Sequence, residues 1–393
     1  MAPATGEKAH QRPMRIAMLG MRGVPANYGG LETVAEEVGA RMAERGHRVT
    51  AYCRGHNSPT DAREHRGIRR VVLPSLGAKH LDTPSHTVVS ALHALLHRSD
   101  VVHLFGVGNA PWLPVLRFAG RGTIISVDGM DWRRRKWGRF AKAMLERSSL
   151  FAIRASGACI TDSREVARYY RERYDREPHY IAHGVDTRPV TTRAALDEHG
   201  LRDRGYVLFV GRVTPEKGVH HLIDAFAPLE TDMQLVVVGD GSGDPGYWRT
   251  LEERAARDPR VRLLGPVYGE GVRELFAHAY LYVQPSEIEG TALSLVEAMG
   301  FGLCVLVSGI PENLETAGGA GASFDIARPV ESLGERLAEL LASPVTVREH
   351  AAACLAYARE HYEWERVADE HEALYRRVIG EAQVVPARAA GSA

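Results

Sequence analysis

Two glutamates, Glu289 and Glu297, stand either side of seven residues in PSEIEGTALSLVEAMGFG, with Gly290 and Thr291 opening a helical stretch between them. That spacing sets one carboxylate on a loop and the other about two helical turns further on. The loop carboxylate can take hydroxyls of a sugar ring, and the helix carboxylate can accept both hydroxyls of a ribose. Backbone N–H groups of Thr291 and Ala292 would meet phosphate or sugar oxygens at the helix start, where the dipole favours negative charge. The plainer alternative is an acidic cluster that only complements that dipole.

Upstream, GRVTPEKG puts Arg212 just after a hydrophobic run and Lys217 on the loop before the next helix, two cations able to converge on one phosphate pair. Lysine is scarce, five against 44 arginines, so Lys217 reads as a compact point charge or as part of an ordinary solvated turn. Near the start, Gly29 and Gly30 end the loop MRGVPANYGG directly before a helix. Paired glycines there let backbone N–H groups approach a diphosphate, or they simply permit a tight turn. The pattern is not GxGxxG, so a nicotinamide-dinucleotide fingerprint is absent.

These loops need strands and helices to hold them. IAMLG, the glycine loop and LETVAEEVGARMAERGH read as strand, loop and amphipathic helix. VTAYCR, DVVHLFG, GTIISVDG and GACITDS continue as strands, most of them followed by helical stretches. After HYIAHGVDTRPV and a short charged helix around ALDEHGLRDRG, the grammar restarts with YVLFVGRVTPEKG, then QLVVVGDG, RVRLLGPV, LYVQPS and CVLVSG. The alternation predicts an α/β protein of two doubly wound parallel sheets, with ligands beyond the carboxyl ends of the strands and the active site between the domains. The expected parts are a leader at 1–13, an acceptor-side domain at 14–186 and a donor domain at 187–364. A helix at 365–382 should return to the first domain, before a disordered tail at 383–393.

The composition agrees with this. A chain of 393 residues has room for two to three domains at about 150 residues each. Forty-nine basic and 49 acidic side chains cancel, so no long-range field favours nucleic acid, and any anionic ligand needs a local site. Cys53, Cys159, Cys304 and Cys354 are far apart and form neither CxxC pairs nor a Cys/His run, which fits a reducing cytoplasm. No apolar run approaches the ~20 residues of a membrane-spanning helix. His103, His220 and His221 read as packing or surface histidines, with no carboxylate at a metal-ligand spacing in sequence, and no metal or cofactor is expected.

Taken together, Glu289 to Glu297 with seven residues between, the pair Arg212 and Lys217, and the loop ending Gly29-Gly30 resemble the motifs of the retaining, GT-B fold glycosyltransferases of family 4. RGVPANYGGLET and VDGMDWRRRKW look more narrowly like a subgroup containing bacterial rhamnosyltransferases of polysaccharide assembly. The resemblance covers roughly residues 14 to 380. It implies two Rossmann-like domains, a C-terminal helix packing back on the first, and transfer with retention from a nucleoside-diphosphate sugar, without a metal. The donor would be dTDP-rhamnose, a UDP-hexose or a UDP-N-acetylhexosamine. The acceptor would be a saccharide, a lipid-linked saccharide or a small secondary metabolite.

Two positions depart from the family. Asp128 stands in the first-domain segment where many members carry a histidine facing the donor sugar, and His183 stands where asparagine is more usual. Asp128 follows the strand GTIISV; its carboxylate can orient donor hydroxyls, support the positive charge developing on the sugar, or accept from the acceptor hydroxyl, unless it is only an Asp-Gly turn. DWRRRKWGRF interleaves Trp132 and Trp137 with Arg133 and its basic neighbours. Asp131, Trp132 and Arg133 are thus candidates for an anionic acceptor, or the patch docks peripherally on an anionic membrane, or it is the exposed basic start of a helix. The rival functions are a nucleotide-sugar epimerase of the same architecture and a non-catalytic carbohydrate-binding protein.

Overall fold

The computed structural model describes residues 12–26, 29–57, 62–77, 82–127, 139–239, 241 and 243–390. Its strands are β1 (Arg15–Leu19), β2 (Arg48–Arg54), β3 (Glu64–His65), β4 (Ile68–Leu73), β5 (Val101–Phe105), β6 (Gly122–Val127), β7 (Ala158–Thr161) and β8 (His179–Tyr180) in the first half. In the second half they are β9 (Tyr206–Val210), β10 (Gln234–Val238), β11 (Val261–Gly265), β12 (Leu281–Gln284), β13 (Cys304–Ser308) and β14 (Ala322–Phe324). The helices are α1 (Gly30–Glu44), α2 (Asp82–Leu96), α3 (Leu113–Phe118), α4 (Arg139–Ala155), α5 (Arg164–Tyr174), α6 (Ala194–His199) and α7 (Val219–Phe226). They continue with α8 (Pro245–Ala255), α9 (Glu270–His278), α10 (Leu293–Gly300), α11 (Pro311–Ala317), α12 (Pro329–Ala342), α13 (Pro344–His361) and α14 (Trp364–Ala390).

The first sheet runs β3-β4-β2-β1-β5-β6-β7-β8 and the second β11-β10-β9-β12-β13-β14. The registered pairs are parallel except β3 with β4. In each sheet the chain winds outward from one central strand and then returns to that strand's other side, a reversal that opens a crevice at the carboxyl ends. In the second sheet the reversal lies between β9 and β12, registered as Leu281 opposite Val207 and Tyr282 opposite Leu208.

Period-two alternation explains why these strands read as unbroken apolar runs. Leu208, Val236, Val238 and Tyr282 enter one core cluster, whereas Val207, Phe209, Leu235, Val237, Leu281 and Val283 enter another on the opposite face. Both faces are covered, as parallel sheets require. β3, β4 and β14 were not legible in the sequence. β4 reads IRRVVL, and its Arg70 is buried because the guanidinium donates to the carbonyls of Val24, at 2.7 Å, and Ala62. β3 and β4 are joined through Arg66 and Gly67, both at positive φ, and β14 is only three residues long.

The chain divides into two units, one holding Met1–Ile160, Tyr174–His179 and Ala368–Ala393, the other Thr161–Arg173 and Tyr180–Val367. The border placed at 186/187 from sequence therefore falls inside the second unit. The reason lies in partners distant along the chain: Glu315 of α11 accepts the backbone N–H groups of Arg164 and Glu165 at 2.8 and 3.2 Å, capping α5, and Asp162 pairs with His183. The last helix belongs to the first unit from Ala368 onward, as its expected return requires. There Arg45 donates to Glu372 at 3.0 Å, the Tyr375 hydroxyl meets His103 Nδ1 at 2.9 Å, and a Cβ at Gly122 would lie 3.1 Å from Val378. α14 runs on to Ala390, beyond the 382 limit read from sequence. Among the described residues, no helix is long and apolar enough to cross a membrane.

Candidate functional site

The two loops that flank the reversal in the second sheet carry the residues singled out from sequence. After β9 the chain passes Gly211 and Arg212, makes a 3-10 turn at Pro215–Lys217, and enters α7 through Gly218. Gly218 sits at φ 69°, and a Cβ there would come within 2.2 Å of the Pro285 carbonyl oxygen, so glycine lets the two loops touch backbone to backbone. Glu287 N–H donates to the Glu216 carbonyl at 2.9 Å and joins them again.

Between these ties Lys217 Nζ meets Glu289 Oε1, with the side chains only 14% and 7% exposed. The same oxygen accepts from Gln284 Nε2 at 2.7 Å and Ser286 Oγ at 2.6 Å. Ser286 is anchored in turn, since its carbonyl accepts from Ser308 Oγ at 2.6 Å and Ser308 Oγ accepts from Asn313 Nδ2 at 2.8 Å. A carboxylate taken out of water needs such donors, and here three converge on one oxygen. Arg212 lies on the same loop, half-buried, and makes no hydrogen bond or ion pair with a described residue. Lys217 and Glu289 are thus brought together and neutralise each other, while Arg212 has no such counter-charge among the described residues.

Beyond Gly290, Thr291 Oγ1 donates to the Asp162 carbonyl at 2.6 Å, and Ala292 caps α10 without a side-chain hydrogen bond. The helix start is therefore left with polar N–H groups free of a competing side chain. The Glu297 carboxyl, on the second turn of α10, makes no hydrogen bond to a described residue. Burial pushes its carboxyl up to about 7, against the opposing pull of Arg273 and His183. His183 Nε2 itself lies 2.6 Å from Asp162 Oδ2.

In the first unit, Gly29 caps α1 in extended backbone at φ −168°, with Gly30 as the first helical residue. Glu32, two positions on, is buried and folds back to accept the Arg22 N–H at 3.1 Å, while Glu36 accepts that of Ala26 at 2.6 Å. The acids of α1 hold the glycine loop in place, which glycine spacing alone did not reveal. His103 is a core residue between Tyr375 OH and Ser126 Oγ, at 2.9 and 2.7 Å, and burial lowers its pKa. Asp128, Asp131, Trp132 and Arg133 lie outside the described residues.

Sequence reading missed Gln284, Ser286, Ser308 and Asn313. For the first three the sequence trace is polarity where an apolar strand ends, in LYVQPSE and CVLVSG, and Asn313 follows four residues on in α11. It also missed Asp162, whose contact with Thr291 spans 129 residues.

Residues 193–361 match the family described as glycosyl transferases group 1, and residues 28–188 match Glycosyltransferase Family 4. The chain is 30% identical over 348 residues to D-inositol 3-phosphate glycosyltransferase of Xylanimonas cellulosilytica, covering 76% of this chain and 81% of that relative. It is 25% identical over 398 residues to α-maltose-1-phosphate synthase of Mycobacterium tuberculosis, covering 93% and 100%. With O-antigen chain mannosyltransferase B of Escherichia coli it shares 30% over 193 residues, about half of either chain. Among solved structures, sucrose-phosphate synthase of Thermosynechococcus elongatus superposes with a TM-score of 0.81 at 19% identity, over 94% of this chain and all of that one. An Anabaena protein, HepE, solved with UDP and glucose, does so at 0.76 and 19%, over 92% and 98%. Two Rossmann-like sheets with the acidic and basic motifs in this order, and matches that run from residue 28 to residue 361, make the chain a GT-B glycosyltransferase of the group 1, family 4 type.

Proposed function

We propose that this glycosyltransferase moves a hexosyl group from a nucleoside-diphosphate sugar to a hydroxyl of a saccharide, lipid-linked or small-molecule acceptor, with retention and without a metal. The observation that carries the donor reading is the arrangement around the β9–β12 reversal: an Arg212 with no partner among the described residues, the Lys217–Glu289 pair and a start of α10 without a side-chain cap, with Glu297 on its second turn. Arg212 and the helix N–H groups would meet the diphosphate, and Lys217 would join them once a phosphate competes with Glu289. Glu297 would take ribose hydroxyls, and Glu289 would be left to accept from the sugar.

Breaking the anomeric C–O bond places positive charge on the sugar ring and negative charge on the leaving diphosphate. Preorganised cations and N–H dipoles stabilise the leaving group, each contributing typically a few kcal/mol. In the retaining course the acceptor hydroxyl attacks from the face the leaving group vacates. Asp128 is proposed to face the reacting sugar or the acceptor hydroxyl, with Asp131, Trp132 and Arg133 on the acceptor. Asp128→Asn should then keep donor affinity within a few-fold and lose transfer by at least about 10²-fold.

Thermal-shift screening against dTDP-rhamnose, UDP-glucose, UDP-N-acetylglucosamine and the free nucleotides tests the donor. A true donor present at about 100 times Kd stabilises by about 2.7 kcal/mol. Product analysis with the selected donor and an acceptor should then show a new glycoside of unchanged anomeric configuration, formed equally well in chelator. Donor consumed with no acceptor present would point to the epimerase instead, and no shift with any nucleotide would remove the proposal.

A further inference from the structure

We propose that His220, His221 and Glu287 form a binding site for a divalent transition-metal ion of the zinc class, separate from the transfer chemistry. The two histidines open α7 immediately after the Lys217 loop, and Glu287 comes from the loop after β12, so no sequence spacing announces the trio. One ring nitrogen from each histidine and one carboxylate oxygen of Glu287 lie within 4.8 Å of one another. His221 Nε2 and Glu287 Oε1 are 3.2 Å apart, already close to the roughly 3.3 Å edge of a tetrahedron with ligands at about 2.0–2.1 Å. The imidazole rings lie 3.9 Å apart between centroids. A small change in their side-chain torsions completes the triangle.

The chemistry of the set favours the same ion. Two imidazoles and one carboxylate suit zinc and its neighbours rather than calcium or magnesium, which take oxygen donors. Three protein ligands leave a fourth position to water. An outer support is already present: the Tyr247 hydroxyl lies 2.8 Å from His220 Nδ1 and accepts the His220 N–H at 3.3 Å, fixing that ring and leaving Nε2 to ligate. The nearby Arg254 cation is neutralised by Asp224 at 2.6 Å. The site is half-buried, with the His221 side chain 18% exposed, so an ion can enter without unfolding the chain.

A bound ion would add a third tie between two loops that already meet at Glu287 N–H to Glu216 O and at Lys217 to Glu289. It would brace them without touching the reacting atoms, and its existence does not depend on which sugar is transferred.

The test is calorimetric titration of Zn²⁺ into the chelator-stripped full-length chain, paralleled by Co²⁺ absorption and by thermal melts. Wild type should take up one Zn²⁺ that His221→Ala and Glu287→Gln each lose or bind at least about tenfold more weakly. Its melting temperature should rise with Zn²⁺ where theirs does not, and Co²⁺ should give the visible bands of tetrahedral coordination only in wild type. His65→Ala, which removes a His–Glu pair at 2.9 Å elsewhere, should keep the site. The proposal is overturned if wild type binds no Zn²⁺. It is equally overturned if His221→Ala and Glu287→Gln bind it with wild-type stoichiometry and affinity, which would leave His221 and Glu287 a plain hydrogen-bonded pair.

Discussion

Replacing Glu297 by glutamine keeps the size of the side chain and removes only its charge. In the folded chain burial lifts this carboxyl from an ordinary 4.5 to about 7, although Arg273 and His183 favour the charged form. Between those two pH values the native chain holds a proton that the unfolded chain has released, so stability falls as pH rises through the window. The loss levels off above about pH 7 at roughly 3 kcal/mol. Glu297→Gln does not carry that penalty, and its stability relative to wild type should therefore climb between about pH 5 and pH 8.

Donor binding should run the other way in wild type. A carboxylate that accepts two ribose hydroxyls must be ionised, because the protonated form gives up part of its acceptor capacity. With a pKa of about 7, about one-eleventh of the free protein is competent at pH 6 and about ten-elevenths at pH 8, so affinity should rise about tenfold across that range. Calorimetry with a nucleoside-diphosphate sugar suits the measurement, since its diphosphate bears no group titrating there. Binding near pH 7 should release about half a proton, read as a dependence on buffer ionisation enthalpy. Glu297→Gln should bind weakly with no pH slope. A wild-type Kd constant within about twofold from pH 6 to pH 8, or a slope that survives in Glu297→Gln, would refute the ribose role.

Arg212→Ala and Lys217→Ala should each lower kcat by more than they raise the donor Kd, because the charge they meet grows toward the transition state; steady-state kinetics showing only a raised KM would reject this. Lys217→Ala should in addition destabilise the chain by about 3 kcal/mol or more, as it strands Glu289 in a buried site, and an unchanged denaturation midpoint would contradict the pairing. Gly218→Ala forces a Cβ to 2.2 Å from the Pro285 carbonyl oxygen at φ 69°, and chemical denaturation should show a loss of at least about 2 kcal/mol. In the first unit burial raises the Glu372 carboxyl, but hydrogen bonds from Arg376 and Arg45, with His47 Nε2 3.3 Å away, outweigh it and hold Glu372 down to about 2, so its contribution is complete above pH 4.5 and disappears as pH falls toward 2. Glu372→Gln should flatten that acid limb in pH-dependent melts, and a limb identical to wild type would assign the acid loss elsewhere.

The parts legible in the sequence were those whose causes are local. A buried parallel strand needs a run of apolar residues, so IAMLG, YVLFVG and CVLVSG announce themselves, as does Lys217 on the loop that follows YVLFVG. β4 escaped because its stability comes from partners distant in sequence: Arg70 is an interior residue only because the carbonyls of Val24 and Ala62 are waiting for it. The domain border escaped for the same reason, since α5 is capped by Glu315, about 150 residues away along the chain.

The candidate site shows the same division at finer grain. Sequence supplied Arg212, Lys217 and Glu289 as residue types on loops and Glu297 on a helix, and the simplest reading of the two cations was convergence on one phosphate pair. The strand order changes that reading. Because β12 returns to lie beside β9, the loop carrying Glu289 is laid against the loop carrying Lys217, and the two charges meet before any ligand arrives. Lys217 is already paired with Glu289, whereas Arg212 has no such partner among the described residues. Glu289 keeps the hydrogen bonds from Gln284 and Ser286 if the lysine departs, which hold its carboxylate in place while its other lone pairs stay open. On the proposed function, diphosphate binding would draw Lys217 from Glu289 and free that carboxylate for the sugar, one exchange of partners that requires both loops.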